Sequence, residues 1–247
     1  PEPALRVMHR RTHPINALSP EGVIAHIHSR SARNGTQLRS LRAKTREALT
    51  WTLRADFNPI VSASNLGRVG TPECIIDHKV LSREGAGDRV PLISISPLSR
   101  LRGSVILLQT RGKNDLFTSR GRPSALLKSL LAERFRVLSP DLFLTGESGC
   151  YNSRDQENHD RHFAAYNLTD AQCRIQDIIT VGAYAAKLGG AIHLAALKGL
   201  GLEALFARPF LRKIKSTSID VSATHVDRDS WWADNVFIPG IRNIGDV

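Results

Sequence analysis

The sequence predicts an α/β fold on a mostly parallel sheet, and three observations carry that expectation. Ser104-Val105-Ile106-Leu107-Leu108-Gln109 is a short continuous apolar run, the signature of a strand buried on both faces. Pro123 to Arg134 follows with apolar residues at helical spacing (Ala125, Leu126, Leu127, Leu130, Leu131), and then Phe135-Arg136-Val137-Leu138-Ser139 reads as another strand. Strand, helix, strand is the unit from which parallel sheets are built. Thirdly, Thr169-x-x-Gln172 matches a capping box that opens a helix with Ile175, Ile178, Ile179, Ala183 and Ala186 on one stripe, closed by Gly189-Gly190.

Residues 1–35 are polar, with His9, His13, His26 and His28 among arginines and prolines, and give an irregular lead-in with one short helix near Pro20 to His28. The H-x-H pair would point to opposite sides of a helix and no carboxylate completes a ligand set, so no metal site is expected. After Thr36, apolar positions at Leu38, Leu41, Ala48, Leu49 and Leu53 predict an amphipathic helix that closes before Asn58-Pro59. Residues 1–60 are thus an irregular and helical extension, and 61–247 the main domain. Glu73 to Leu81 and Arg89 to Ser96, joined by Glu84-Gly85-Ala86-Gly87-Asp88, predict a β-hairpin. Gly146 to Arg161 is a polar loop over the sheet's carboxyl edge. Beyond the capped helix come a strand over 191–197, a helix over 202–212, a strand over 216–221 and a loop from Trp231 to Val247.

The chain has 247 residues, 41% of them hydrophobic, and a formal net charge of +11. Its basic residues are dispersed and not interleaved with aromatics, which argues for a solvated basic surface and against a specific nucleic-acid site. Cys74, Cys150 and Cys173 offer no C-x-x-C pair, and no cofactor motif is present. There is neither an apolar run of membrane-spanning length nor a charged and apolar leader at the start, and the compartment stays open.

Several stretches together resemble the acetylxylan-esterase-like and dienelactone-hydrolase-like branch of the α/β-hydrolases. Val137-Leu138-Ser139-Pro140-Asp141-Leu142-Phe143-Leu144-Thr145-Gly146-Glu147-Ser148 resembles that group's "PDLRGTGES" strand end. Tyr166-Asn167-Leu168-Thr169-Asp170 through Arg174-Ile175-Gln176-Asp177-Ile178-Ile179-Thr180 resembles its "FNRTD…RVQDVLTA" helix. Gln109-Thr110-Arg111-Gly112-Lys113 stands at its "xxxGK" turn, and Phe237-Ile238-Pro239-Gly240 at a recurrent "FLPG". The resemblance covers about residues 40–247. It implies an incomplete hydrolase-like sheet, because a further strand, an acid loop and a histidine loop would lie beyond Val247. It also implies carboxylic ester hydrolysis through an acyl-enzyme, acting on a small-molecule or carbohydrate ester, with an oxyanion hole made of backbone N–H groups after Gln109 and at the elbow.

The turn that should hold the nucleophile departs from this pattern. Ala191 to Leu197 runs into Lys198-Gly199-Leu200-Gly201-Leu202-Glu203, which keeps the glycines and has no Ser, Cys or Asp. Gln109, Gly199, Leu200 and Gly201 are the candidate substrate-binding positions. Glu203 could supply a carboxylate if the elbow is shifted, or simply complement the helix dipole. Asp220 and His225, at the end of a parallel strand, could form an acid-base pair, or Asp220 could cap its own turn. Ser148 suits a surface turn, His193 a hydrogen-bonded core position, and Arg174 with Asp177 a local helical pair. His159 and His162 with Asp155, Glu157 and Asp160 form a dense titratable cluster in the polar loop. Two function classes stay open: an esterase-like enzyme that has lost its usual nucleophile, or a non-catalytic binding protein on the same scaffold. An incomplete sheet would also leave an edge through which copies could associate.

Overall fold

The computed structural model of the chain describes residues 42–150, 166–197, 199–222, 224–225, 228, 231–232 and 235–241. The histidines of the lead-in and the cluster His159, His162, Asp155, Glu157 and Asp160 lie outside these residues. The chain separates into two compact units, Pro1–Ala48 with Gly240–Val247, and Leu49–Pro239. Helix α1 (Arg42–Leu53) begins in the first and ends in the second.

The second unit is built on a seven-stranded sheet. Its strands are β1 (Val61–Gly70), β2 (Cys74–Arg83), β3 (Val90–Pro97), β4 (Gly103–Leu108), β5 (Phe135–Pro140), β6 (Ala191–Ala196) and β7 (Ile214–Ile219), in the order β1-β2-β3-β5-β4-β6-β7. β1, β2 and β3 form an antiparallel meander, and β3 pairs antiparallel with β5. The β5-β4-β6-β7 block is parallel. The expected hairpin is β2–β3, and its connection needs Gly85 and Gly87, both at φ +73. β1 is an additional strand that the sequence does not announce: only Val61 is buried, so it carries no alternation.

β4 is buried along its whole length, as its apolar run requires. Val105 and Leu107 pack with Ile93, Ile95, Val137 and Leu127 on one face of the sheet. That face is covered by α2 (Ala125–Ala132), whose N-cap is Ser124, accepting from the Leu127 N–H. Pro123 therefore stands outside the first turn, where the sequence had placed it. The other face takes α3 (Asp170–Leu188) and α4 (Gly201–Ala207), which pack on each other.

The capping box of α3 is formed in both directions: the Thr169 Oγ1 accepts from the Gln172 N–H at 3.3 Å and the Gln172 Oε1 from the Thr169 N–H at 2.8 Å. Beside the expected apolar stripe runs a buried polar one, Gln172, Gln176 and Thr180. It satisfies the chain leaving α1, because Gln172 Nε2 donates to the Thr52 carbonyl at 2.8 Å and Gln176 Oε1 accepts from the Asp56 N–H at 2.6 Å.

Four segments depart from the sequence expectations. The helix expected over 202–212 stops at Ala207 and continues as a 3-10 turn, Arg208–Phe210, because Pro209 has no N–H to extend the ladder. β7 starts two residues early, drawn by its pairing with β6. Trp231, Trp232 and Asn235 are helical where a loop was expected, and Trp232 is buried with its ring 6.2 Å from Phe206. His193 is hydrogen-bonded, its Nδ1 2.7 Å from Ser216 Oγ, but half-buried rather than in the core.

Candidate functional site

The loops that follow β4, β5, β6 and β7 all emerge at the carboxyl edge of the parallel block, where ligands bind in open α/β sheets. The turn after β6 keeps the architecture of an elbow. Gly199 sits at φ +87, in the left-handed region that favours glycine. Gly201 is required for a different reason: a Cβ there would overlap the Asp220 carbonyl at the end of β7. A Cβ placed on Gly199 would lie 3.5 Å from the Thr110 methyl group, so the turns after β4 and β6 adjoin.

Gly199 stands two residues before Gly201, the place of the Ser in G-x-S-x-G, and carries no side chain; Leu200, which follows it as the N-cap of α4, is 1% exposed. An acyl-enzyme mechanism needs an oxygen or sulfur nucleophile offered from such a turn. Here that residue is a glycine, and the side chain after it, Leu200, is an alkyl group folded inward. Gln109, just past β4, is buried, and its Oε1 has no hydrogen-bond donor among the described residues. Its carbonyl accepts from the Gly112 N–H at 2.9 Å, which closes the turn after β4.

Glu203 lies in the first turn of α4 and is 1% exposed. Its Oε1 takes Arg174 Nη1 at 3.3 Å, while Oε2 is buried without a donor among the described residues. Burial pushes this carboxyl above the usual range, and Arg174 pulls it part of the way back. Arg174 also donates through Nε to the Phe143 carbonyl at 3.1 Å, and Asp177 Oδ2 accepts from the Phe143 N–H at 2.7 Å. Arg174 and Asp177, expected as a local pair, are not ion-paired with each other among the described residues; they hold Phe143 of the β5 loop by its carbonyl and its N–H instead. Asp177 is half-buried as a residue with its carboxyl enclosed, and burial raises that carboxyl to about 7.

Asp220 follows β7, and its Oδ1 accepts from the Ser222 N–H at 3.0 Å and from Ser222 Oγ at 2.6 Å, an Asx turn. His225 is exposed five residues on. The structure therefore places Gln109, Gly199, Leu200, Gly201 and Asp220 along one edge, and Glu203 beneath it in the interface of α3 with α4.

A second group at the same edge was not singled out from the sequence. Asp141, 1% exposed, accepts from the Lys113 N–H at 2.8 Å, from Lys113 Nζ at 2.7 Å and from the Glu147 N–H at 3.1 Å. Lys113 Nζ also lies 2.6 Å from Glu147 Oε1. Gly112 and Gly146, both at positive φ, press so closely on Asp141 that a Cβ on either would overlap its carboxylate. A signal was present: the Gly112-Lys113 and Asp141 to Glu147 stretches end adjacent parallel strands and carry opposite charges.

No family model matches this chain, and no curated protein does. Solved structures do. A Bacteroides fragilis structure assigned, without established activity, as an acetyl xylan esterase superposes at a TM-score of 0.67 with 11% identity, over 98% of this chain and 72% of the other. Acetyl xylan esterase 1 from Thermoanaerobacterium gives 0.45 and 12%, over 81% and 62%. A promiscuous esterase from a marine bacterial metagenome gives 0.44 and 12%, over 83% and 61%. The chain spans less than two thirds of the length of the latter two. The sheet order and the first superposition give the chain an α/β-hydrolase fold.

Proposed function

We propose that the chain is a catalytically degenerate member of the carboxylic ester hydrolase lineage, retaining the scaffold to bind a small ester or carbohydrate ester without forming an acyl-enzyme. The observation that carries this reading is Gly199, at φ +87 where the elbow would offer its nucleophile, with Leu200 beside it buried and Gly201 tight against the end of β7. The Gln109 Oε1, buried and without a donor among the described residues, supports recognition of a hydroxyl-bearing ligand at the same edge. The competing reading is hydrolysis through Glu203, or through Asp220 with His225. It is disfavoured by the enclosure of the Glu203 carboxyl and by the use of the Asp220 carboxylate in its own turn.

The test is hydrolysis of p-nitrophenyl acetate by the protein, beside Glu203→Gln, Asp220→Asn and His225→Asn, together with melting curves in triacetin and in a xylose acetate. The expected result is no rate above a heat-denatured control, with a ligand-dependent rise in Tm. A rate that disappears in one variant overturns the non-catalytic reading and locates the site.

The same proposal extends to assembly. β7 is the last strand of the described sheet and its central residues are exposed, so a second copy pairing along it is the association this fold favours. Light scattering across a dilution series reads it, and a monomer at all concentrations refutes it. Among the described residues no helix is long and apolar enough to cross a membrane.

A further inference from the structure

A groove of about 370 Å³ lies at the other end of the parallel strands, where α3 runs out towards β6 and residues 210–213 lead into β7. Its volume is that of a small-molecule site. One wall is aromatic: Phe57 and Phe210 stack with ring centroids 3.9 Å apart and planes 29° apart. Ile179 and Leu211, both buried, continue the apolar lining.

The rim carries charge of one sign. Lys187, Arg212 and Lys213 line the groove, and among the described residues no acidic side chain does. Asp56, next in sequence to Phe57, is turned towards Arg83 at 3.9 Å. Two of the cations are anchored by neutral oxygens rather than neutralised: Lys187 Nζ donates to the Val61 carbonyl at 2.6 Å and Arg212 Nη2 to Asn58 Oδ1 at 2.5 Å. Both keep further N–H donors. Lys213 is exposed and held at φ +60, which fixes the backbone that presents it.

We infer that this groove binds a small free carboxylate with a flat apolar body, an aryl-alkanoic acid in chemical class, with the ring on the Phe57 wall and the carboxylate among Lys187, Arg212 and Lys213. An apolar wall alone would take any oily ligand. Among the described residues no carboxylate pairs with these three cations, which select the anion, and an arginine suits a carboxylate through parallel N–H donors. The inference stands independently of events at the elbow, which lies at the opposite edge of the sheet.

Isothermal titration with 3-phenylpropionate tests it, beside 3-phenylpropionamide and decanoate. The acid is expected to bind at least about tenfold more tightly than the amide, the difference a charge-assisted contact makes. The double variant Arg212→Gln with Lys213→Gln should remove that preference while leaving the melting temperature unchanged. Ala186→Leu, which fills the groove, should abolish binding of acid and amide alike in a protein whose circular dichroism is that of the parent. Equal affinity for acid and amide overturns the cationic rim. Tighter binding of decanoate overturns the aromatic wall, and undiminished binding in Ala186→Leu, or no binding at millimolar acid, overturns the site.

Discussion

Asp141 offers the sharpest test of how this edge is held. Its carboxylate is buried and accepts two backbone N–H groups and one ammonium, so Asp141→Ala removes three hydrogen bonds to one charge. The Lys113 and Glu147 amides lose their acceptor, at about 1–1.5 kcal/mol each. Breaking the ion pair adds a comparable amount, moderated because Lys113 keeps the largely exposed Glu147 carboxylate at 2.6 Å. The sum is about 4 kcal/mol, a large part of a domain's stability. With a urea slope of about 2–3 kcal/mol/M, the unfolding midpoint should fall by roughly 1.3–2 M. Asp141→Asn should cost less, because its oxygen still serves the Lys113 N–H while its amide meets donors. The sterics provide an independent arm. Gly146→Ala should be destabilising in the parent, both from φ +52 and from overlap with the Asp141 carboxylate, and the overlap should vanish in the Asp141→Ala background. The double-mutant cycle should then show a coupling of about 1 kcal/mol or more. A midpoint shift below about 0.5 M for Asp141→Ala, or a Gly146→Ala penalty equal in both backgrounds, would refute the assignment of Asp141 as the pin of these loops.

Three further outcomes follow from neighbouring groups. Asp177 is raised to about 7 in the folded chain, so between its ordinary value near 4 and 7 the native state holds a proton that the unfolded state has lost. The stability of the parent relative to Asp177→Asn should therefore fall as pH rises through that window, and parallel urea profiles for the two would contradict it. Arg174→Met should destabilise by about 2–4 kcal/mol, because it leaves the Glu203 carboxylate buried and alone, whereas Arg174→Met with Glu203→Leu should recover most of the loss in chemical denaturation. Gly201→Ala should cost more than Gly199→Ala, since it must push the elbow away from the Asp220 carbonyl, while Gly199→Ala meets only its φ penalty of about 1 kcal/mol; melting curves decide the order.

The parallel core was legible because burial on both faces writes itself as uninterrupted apolar residues, as in Val105 to Leu108, and because Thr169 with Gln172 spells a helix start in side-chain chemistry. β1 was not legible: Ser62, Ser64 and Arg68 face solvent, and the strand is held by backbone pairing with β2, which leaves no mark on residue type. The elbow could be located by its glycines, but whether Leu200 points out or in is decided by how α4 packs. Likewise Gln172 and Gln176 read as an interruption of a stripe, and only the return of the chain past Thr52 and Asp56 shows what they satisfy. The Lys113 and Asp141 pair, separated by 28 residues, becomes a pair through the adjacency of β4 and β5.

That adjacency also governs the order in which the chain can assemble. β3 and β4 are consecutive in sequence yet are separated in the sheet by β5, which pairs with both. The meander of residues 61–97 can zip locally, with little loop entropy to overcome. β4, the most apolar strand, has no partner until the 26 residues between Leu108 and Phe135 have been traversed and β5 has entered between its two neighbours. During synthesis or refolding there is thus an interval in which the outer edge of β3 and both edges of β4 are unpaired, the kind of surface on which chains aggregate. Helix α2 lies within that connection, so its early formation on the Ser124 cap shortens the distance β5 must search and would make this short helix a determinant of folding yield rather than of final stability.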